Sequence, residues 1–297
     1  MILLMSKLRL ALIGVGIMGY GISLNLKNLG YELRLYTRNS GKITDLADAN
    51  TVICNTIAEA CTDADVTLIC LTTDDVVRKA FFLEGILEKT GSCIIDFGTT
   101  SPELTREMNL AAQKLDKLFI DSPMTGSKNA ARDGKLLLML GASESSIEPY
   151  RSIFEAIAKK VVYCGETGSG QKTKIALNLL QAEMLQAYIE GLILAEKNGI
   201  DKQIFYEVIM NSAAASGMAE FKLNHIFKGD YSPHFSLENM NKDLNHALNL
   251  ASKLNIHLSQ ARSLKNVYDT GMNLCPSEDF CSTYRVNRFF NGEGETF

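Results

Sequence analysis

Short hydrophobic runs alternate with stretches of helical spacing through the first half of the chain. The runs are rich in leucine and β-branched residues, begin with LRLALIG at Leu8 and include YELRLYT, TVICN, VTLICL and SCIIDFG. They lack the apolar/polar alternation of a strand with one wet face, so helices should cover both faces. The pattern predicts an α/β fold with a doubly wound parallel sheet. We expect KLFIDSPM, KLLLMLG and KVVYCG to extend this sheet, and a helix between YELRLYT and TVICN.

A run of about thirty residues from Gly168 to Lys197 is apolar on almost every side and contains no proline. It predicts one long buried helix, with Gly168 and Gly170 at its start and a left-handed cap at Asn198-Gly199. Beyond it, helical periodicity without a convincing strand recurs near 201–211, 215–227, 237–254, 258–271 and 278–290. We therefore predict a sheet domain at 1–165 and an all-helical domain at 166–297 that begins with the long helix.

Lys174 and Asn178 lie one turn apart on this apolar helix and form a polar stripe. Burying an unpaired ammonium costs several kcal/mol and favours the neutral amine, which suits an acid/base catalyst. The alternative is a lysine that extends its charged end to the surface near the helix start. The other motifs of the chain favour the catalytic role.

The charge of the chain argues against two classes of partner. It has 297 residues, a formal net charge of −4 and a pI near 5.7. Without a basic cluster, neither nucleic acid nor a membrane surface is an expected partner. The run MILLMSKLRLALIGVG is interrupted by Lys7 and Arg9 and leads into a glycine turn, which is typical of a first strand rather than a signal peptide. Either Met1 or Met5 starts the native chain.

Seven cysteines, with no CxxC pair and several in strand-like runs, are expected to be buried thiols. We therefore expect no disulfides and a reducing, cytoplasmic location. The four histidines lack metal-ligand spacing, and no metal is predicted.

A glycine-rich turn, GVGIMG, follows the first predicted strand and opens the first predicted helix. In this context the GxGxxG spacing is typical of a Rossmann-type dinucleotide site, because the glycines allow a tight turn, close approach of the pyrophosphate and packing of helix on strand. The alternative is a turn that binds nothing. The predicted cofactor contacts are Gly14, Gly16, Ile17, Met18 and Gly19.

About twenty residues after these glycines, NAD enzymes place an acid that holds the ribose 2′-hydroxyl. This chain instead has Thr37, Arg38 and Asn39 there. An arginine fork with hydroxyl and amide donors suits a 2′-phosphate, so these residues favour NADP(H). The alternative is an arginine that only solvates a strand end.

Thr99 lies in DFGTTSP, where the fifth predicted strand ends. Ser101-Pro102 is typical of an N-cap and first helical turn. Because ligands bind at the carboxyl ends of such strands, Thr99 is a candidate contact for nicotinamide or substrate. A plain structural turn is the alternative.

Taken together, these motifs resemble the β-hydroxyacid dehydrogenase family over nearly the whole chain. The resemblance rests on GVGIMG, DFGTTSP, DSPMTGSKNAARDG from Asp121, GSGQKTK with Asn178, and FSLENMNKDL from Phe235. The TGSK and RDG details look like the glyoxylate and succinic semialdehyde reductase branch. Thr125 replaces the usual serine, Leu177 the first of a common asparagine pair, and Gly98 a frequent serine, so substrate preference is less secure than chemistry.

The resemblance implies a role for several positions of this chain. Lys174 would be the catalytic acid, Asn178 would orient the substrate, and Lys242 would reach the cofactor. The implied substrate-binding residues are Thr99, Thr125, Gly126, Ser127, Lys174, Asn178, Phe235 and Asp243. Phe235 is otherwise a core aromatic, and Lys242-Asp243 a solvated helix start.

The sequence thus predicts an NADPH-dependent reductase of small aldehyde acids, which would yield hydroxy acids. The alternatives are a 3-hydroxyisobutyrate dehydrogenase or a tartronate semialdehyde reductase. A third is an NADPH-binding regulatory or scaffold protein, which would be expected to lose Lys174. Helix packing in the second domain suggests a homo-oligomer, a dimer or a tetramer. Neither the physiological substrate nor the direction of flux follows from the sequence.

Overall fold

The structure, a computed structural model, describes residues 8–293 of the chain. Contacts divide the chain into two compact units, the first ending at Lys174 and the second beginning at Ile175. The domain boundary at residues 165 and 166 stays a prediction.

A six-stranded sheet with parallel neighbours lies at the centre of the first unit, as predicted. Its strands are β1 (Arg9–Ile13), β2 (Glu32–Tyr36), β3 (Thr51–Ile53), β4 (Val66–Ile69), β5 (Cys93–Asp96) and β6 (Leu118–Asp121). Their spatial order is β3-β2-β1-β4-β5-β6. Strand order therefore reverses between β1 and β4, the point at which such sheets bind ligands.

Apolar side chains cover both faces of this sheet. Along β1, Leu10 and Leu12 belong to one buried cluster, whereas Ala11 and Ile13 belong to another. Because successive side chains of a strand point to opposite faces, the two clusters lie on opposite faces of the sheet. The continuous hydrophobic runs are explained by burial on both faces.

The prediction that every later run extends this sheet is wrong. β7 (Met124–Thr125), β8 (Leu136–Leu140) and β9 (Ala158–Tyr163) form a separate three-stranded sheet, in which β7 and β8 are antiparallel. One isolated bridge, Asp121 with Gly141, connects the end of β6 to the end of β8. Pro123 has no N–H to donate, so the ladder of β6 stops there and the chain starts a new pairing.

Between residue 8 and the start of the long helix, the structure has eight helices. They are α1 (Ile17–Asn28), α2 (Ile57–Cys61), α3 (Asp74–Phe82), α4 (Ile86–Lys89), α5 (Pro102–Gln113), α6 (Lys128–Arg132), α7 (Glu144–Ile147) and α8 (Arg151–Ile157). The helix expected between β2 and β3 is instead two short 3₁₀ turns, Ser40–Lys42 and Thr44–Leu46. Neither turn has a side-chain cap, and three residues are too few to form a helical nucleus.

The long helix α9 extends from Ser169 to Lys197, close to the predicted bounds. Ala182, Leu185, Ile189 and Leu192 recur every three or four residues and are buried together in the second unit. The expectation of burial on almost every side is wrong, because Leu180 is 52% and Leu194 66% exposed.

The second unit is helical, as predicted, and no strand occurs among the described residues after Lys197. Its further helices are α10 (Lys202–Met210), α11 (Gly217–Lys228), α12 (Leu237–Lys253), α13 (Ser259–Leu274) and α14 (Thr283–Phe290). Over residues 8–293, no helix combines the length and apolar character needed to cross a membrane.

A buried ion pair that we did not predict lies inside the second unit. Lys222 Nζ contacts both carboxylate oxygens of Asp279, at 2.7 and 2.9 Å, and lies 4.2 Å from the ring centre of Phe280. The same carboxylate accepts the backbone N–H groups of Phe235 and Cys281. Burial raises the pKa of Asp279, but Lys222 and the N–H donors outweigh burial and hold it below its ordinary value. The pair therefore fixes the segment that leads into α12.

Replacing Lys222 by methionine should lower the free energy of unfolding by about 3–5 kcal/mol, because the Asp279 carboxylate would stay buried without its cation. The matched control is Arg78→Met, which breaks the exposed Arg78–Glu107 pair and should leave the urea midpoint close to wild type. Equal shifts of the two midpoints would contradict the structural role of the buried pair.

Candidate cofactor and substrate site

The glycine turn lies where β1 ends, and its three fingerprint glycines have different environments. A Cβ on Gly14, whose φ is +99°, would meet the carbonyl oxygen of Cys70 at 2.4 Å. A Cβ on Gly19 would meet the carbonyl oxygen of Gly14 at 2.4 Å. A Cβ on Gly16 would meet nothing within 4 Å. The chain itself requires the first and third glycines, but not the second.

Open space at Gly16 fits the role of the middle glycine in a dinucleotide site, where a ligand's pyrophosphate approaches the backbone. Gly16 is the N-cap of α1 and makes no side-chain cap, so the helix start is available to an anion. Ile17, in the first turn, is 54% exposed, whereas Met18 packs partly against the core. The local geometry thus fits a bound nicotinamide dinucleotide.

The segment after β2 runs beside this turn. The carbonyl of Tyr36 accepts the N–H groups of Gly14 and Val15, at 2.9 and 3.3 Å. Arg38 and Asn39 follow and are exposed, and Thr37 is half-buried. Within the part of the chain that the structure describes, Arg38 makes no hydrogen bond or ion pair. Its guanidinium is therefore available to a ligand beside the glycine turn.

The loop after β5 is shaped by a buried carboxylate. Asp96 accepts the N–H of Gly98 at 2.9 Å and the hydroxyl of Thr100 at 2.7 Å. Thr99 lies between these two anchored residues and is half-buried. Ser101 caps α5 as predicted, its hydroxyl accepting the N–H of Leu104. The loop is thus held at both sides of Thr99, at the carboxyl end of a central strand.

A second buried carboxylate holds the start of α9. Asp121 accepts the N–H groups of Gly168, at 2.7 Å, and Gln171, at 3.0 Å. Burial raises the pKa of Asp121, and these hydrogen bonds oppose the rise. A Cβ on Gly170 would lie 2.3 Å from the carbonyl oxygen of Met139, so the helix starts in close contact with the smaller sheet. Lys174, one turn further along, is 7% exposed.

Sequence reasoning missed Asp96, Asp121 and Gln171 as supporting residues. Asp96 and Asp121 belong to the motifs DFGTTSP and DSPMTGSKNAARDG, and Gln171 belongs to GSGQKTK. A signal did exist, because each aspartate ends a buried apolar strand, where a charge needs a partner. Gln171 lies 50 positions from Asp121 and 75 from Asp96, so its contact with both could not be inferred from the sequence.

The predicted anion loop, Thr125 to Ser127, leads into the short helix α6. Ser127 is the N-cap of α6, and its hydroxyl accepts the N–H of Ala130 at 3.2 Å. Thr125 and Ser127 are half-buried, and Gly126 is exposed. The residues of this loop are therefore partly exposed, although Thr125 pairs with Leu137 of β8 and the N–H of Ala130 is already occupied.

The second unit contains the other predicted site residues. Asn178 donates from Nδ2 to Asp243 at 2.5 Å, and both side chains are buried. Lys242 Nζ contacts the other oxygen of Asp243 at 2.7 Å. Phe235 is half-buried and packs edge-on against Phe280, with ring centres 6.3 Å apart. Asp243 thus fixes Asn178 and Lys242 through one carboxylate.

Two family models together match most of the chain. The NAD binding domain of 6-phosphogluconate dehydrogenase matches residues 9–165. The model described as NAD-binding of NADP-dependent 3-hydroxyisobutyrate dehydrogenase matches residues 168–287.

Individual relatives agree with these models. Glyoxylate/succinic semialdehyde reductase 1 of Arabidopsis thaliana is 27% identical over 93% of this chain and 97% of its own length. The human cytokine-like nuclear factor N-PAC is 26% identical over 94% of this chain, which spans about half (51%) of that protein. A structure of Mycobacterium tuberculosis 3-hydroxyisobutyrate dehydrogenase with L-serine has a TM-score of 0.85 at 26% identity, covering 95% of this chain and 99% of that one.

With this fold and these matches, the chain belongs to the β-hydroxyacid dehydrogenase family, as the resemblance implied. It is an oxidoreductase of the NAD(P)-dependent type that acts on CH–OH groups. The predicted Rossmann-type domain followed by a helical domain is confirmed. A nicotinamide cofactor is likewise confirmed.

Replacing Gly16 by alanine should weaken cofactor binding without affecting the stability of the fold. Its side chain would meet no protein atom, so Gly16→Ala should keep the thermal midpoint of wild type. It should weaken cofactor binding by about tenfold or more, or about 1.4 kcal/mol, since the methyl group occupies the space of the pyrophosphate. Titration of cofactor fluorescence measures the affinity.

The matched control is Gly19→Ala, which should lower the thermal midpoint because of the 2.4 Å contact with Gly14. Wild-type cofactor affinity in Gly16→Ala would show that no dinucleotide approaches this turn.

Proposed function

We propose that the protein reduces small aldehyde acids, such as succinic semialdehyde and glyoxylate, to hydroxy acids with NADPH, and that Lys174 is the general acid. The observation that carries the proposal is the burial of Lys174, 7% exposed, on a helix start held by the carboxylate of Asp121. Buried titratable side chains concentrate at functional sites, and Lys174 occupies the position of the acid in the motif that resembles the family.

The Arabidopsis relative, a glyoxylate/succinic semialdehyde reductase with 27% identity, supports small aldehyde acids as the substrate class. The Mycobacterium tuberculosis structure supports the alternative, a 3-hydroxyisobutyrate dehydrogenase, at 26% identity. Tartronate semialdehyde reduction is a further alternative with the same chemistry. Each of these substrates carries a carboxylate and a carbonyl or hydroxyl group in one small molecule, so the same anion site suits all of them.

In the proposed mechanism, the Thr125–Ser127 loop binds the substrate carboxylate. The backbone N–H groups of Gly126 and Ser127 and the hydroxyl of Ser127, whose proton is not used in capping Ala130, would supply the donors. Because α6 has only five residues, its dipole contributes little and these direct hydrogen bonds dominate. The loop would therefore orient the substrate rather than activate it.

Lys174 is proposed to protonate the carbonyl oxygen as the bond to it becomes single. A bound NADPH supplies the hydride that the carbonyl carbon receives. Proton donation by a positioned lysine stabilises charge only as it develops, which is what lowers the barrier. Asn178 would orient the substrate with the second N–H of its amide, since Asp243 accepts the first.

Preference for NADP(H) is proposed from Arg38. It is exposed, follows β2 beside the glycine turn, and has Thr37 and Asn39 as neighbours. A guanidinium can bind a 2′-phosphate in a bidentate manner, and the segment lacks the carboxylate that an NAD enzyme uses for the ribose. Thr99 and Lys242 are proposed as further cofactor contacts.

We also propose a homo-oligomer, dimer or tetramer, in the cytoplasm. The exposed Leu180 and Leu194 on α9 support assembly through helices. The seven cysteines are free thiols, most of them buried, which supports a reducing compartment.

Removing Arg38 should erode the preference for NADPH. In Arg38→Ala, affinity for NADPH should fall by about tenfold to a hundredfold while affinity for NADH barely changes, because only NADPH carries the 2′-phosphate. Arg9→Ala is the matched control, since Arg9 starts β1, at the opposite end of that strand from the glycine turn. Equal wild-type affinity for the two cofactors, measured by titration, would sink the assignment.

The function itself is tested with an aldehyde panel assayed by NADPH oxidation. Wild type should give a higher kcat/KM for succinic semialdehyde than for glyoxylate, because each added buried methylene contributes about 0.8 kcal/mol. It should barely turn over uncharged butanal, which offers nothing to the anion loop. Lys174→Ala should lose on the order of 10² to 10⁴ in kcat while still binding NADPH.

Two results of this panel would contradict the proposal. Similar kcat/KM values for butanal and succinic semialdehyde would show that the protein has no site for the substrate carboxylate. If Lys174→Ala kept more than about a tenth of the wild-type kcat, Lys174 would not be the general acid.

A further inference from the structure

Two fully buried carboxylates lie side by side at the carboxyl ends of neighbouring strands. Asp96 of β5 and Asp121 of β6 are register partners, and both side chains have 0% exposure. Asp96 holds the loop that contains Thr99, through Gly98 and Thr100. Asp121 holds the start of α9. Each carboxylate thus fixes a different segment of the proposed site.

Gln171 is the residue that joins these two segments. Its backbone N–H donates to Asp121 at 3.0 Å. Its side-chain Nε2 donates to the carbonyl of Gly98 at 2.9 Å, with a longer 3.4 Å contact to Asp96, and its Oε1 accepts the N–H of Thr100 at 3.0 Å. The side chain has 0% exposure. One amide therefore binds the Thr99 loop on both sides while its own backbone is fixed to β6.

A carboxamide matches this pair of contacts without carrying a charge. The carbonyl of Gly98 needs a donor and the N–H of Thr100 needs an acceptor, and the two ends of one glutamine amide supply both. A glutamate would keep the acceptor, lose the donor and add a charge beside Asp96. A methionine would fill similar space and make neither hydrogen bond.

We infer that Gln171 is a positioning residue, which sets the distance between Thr99 and Lys174 by locking the β5 loop to the first turn of α9. This inference rests on the proposed function, in which Lys174 acts on a carbonyl held near the strand end. Lys174 lies three positions beyond Gln171 on the same helix, so the clamp acts within one turn of the proposed acid. A displacement of about 1 Å in such a site costs on the order of 10²-fold in rate.

The test compares Gln171→Met with Gln186→Met in the intact chain. Gln186 lies on α9 as well and makes a reciprocal amide pair with Asn287, at 2.8 and 3.1 Å, about 22 Å further along the helix. Both variants exchange a hydrogen-bonded glutamine for methionine in one helix. Thermal midpoint, NADPH affinity, KM and kcat are measured with succinic semialdehyde, together with the isotope effect of cofactor deuterated at the transferred position.

Gln171→Met should lose about tenfold to a hundredfold in kcat per folded, cofactor-binding molecule, with NADPH affinity within about threefold of wild type. The isotope effect on kcat should rise, since chemistry becomes slower relative to product release. Gln186→Met should keep wild-type kcat and isotope effect. Gln171→Glu should keep the acceptor for the N–H of Thr100 but lose the donor to Gly98, and its kcat should also fall.

A kcat for Gln171→Met within twofold of Gln186→Met would overturn the inference. A loss explained entirely by fewer folded molecules, at unchanged kcat per active site and unchanged isotope effect, would overturn it too. Should Gln171→Met not fold, Gln171→Glu is judged by the same thresholds. The proposed function fails on a different measurement, the turnover of Lys174→Ala, so the two failures are distinguishable.

Discussion

The start of the long helix is bound to the sheet by one carboxylate, that of Asp121, which accepts the N–H groups of Gly168 and Gln171. The first N–H groups of a helix have no partner within it, and a buried carboxylate needs donors. Each therefore satisfies the other where neither has access to water. The location of Lys174, one turn along this helix, depends on this interaction.

Local patterns were sufficient to predict the strands of the main sheet, the glycine turn and the helices of the second unit. Each of these depends on residues close together in sequence: apolar runs, GVGIMG before a helix, and periodicity after Lys197. The separate sheet of β7, β8 and β9 was missed because KLLLMLG and KVVYCG are as apolar as the strands of the main sheet. The composition of a strand indicates that it is buried, but not which strand lies beside it.

The supporting residues of the site were also beyond local inference. Gln171 meets Asp96, 75 positions away, and Lys222 meets Asp279, 57 positions away. Nothing in the neighbouring residues indicates either pairing, since both depend on the completed fold. Lys174 and Arg38 were found from sequence because their motifs have fixed spacing from the glycine turn and the helix start. The roles given to them are proposals that the family resemblance and the local geometry support.

Similar proteins include a plant reductase and a human nuclear factor, which are named for very different roles. A fold of this kind does not determine the substrate of a member, so the proposed substrate and mechanism depend on the residues of the site. Here the glycine turn has space that the chain itself does not fill, and a buried lysine follows a tightly fixed helix start. The first feature fits a bound ligand, and the second supports the proposed proton transfer.

The pairing of Asp96 with Asp121 has a consequence for how the chain finds its fold. Successive side chains of a strand point to opposite faces, so a slip of β6 by one residue would turn Asp121 to the wrong face of the sheet. The apolar residues of CIID and LFID do little to oppose such a slip, because both faces of these strands are buried and either face accepts a hydrophobic side chain. In the slipped arrangement the N–H groups of Gly168 and Gln171 would lose their acceptor and a carboxylate would lie among hydrocarbon side chains. The helix start thus selects among strand registers, and α9 can form its first turn against the sheet only when β5 and β6 are correctly aligned.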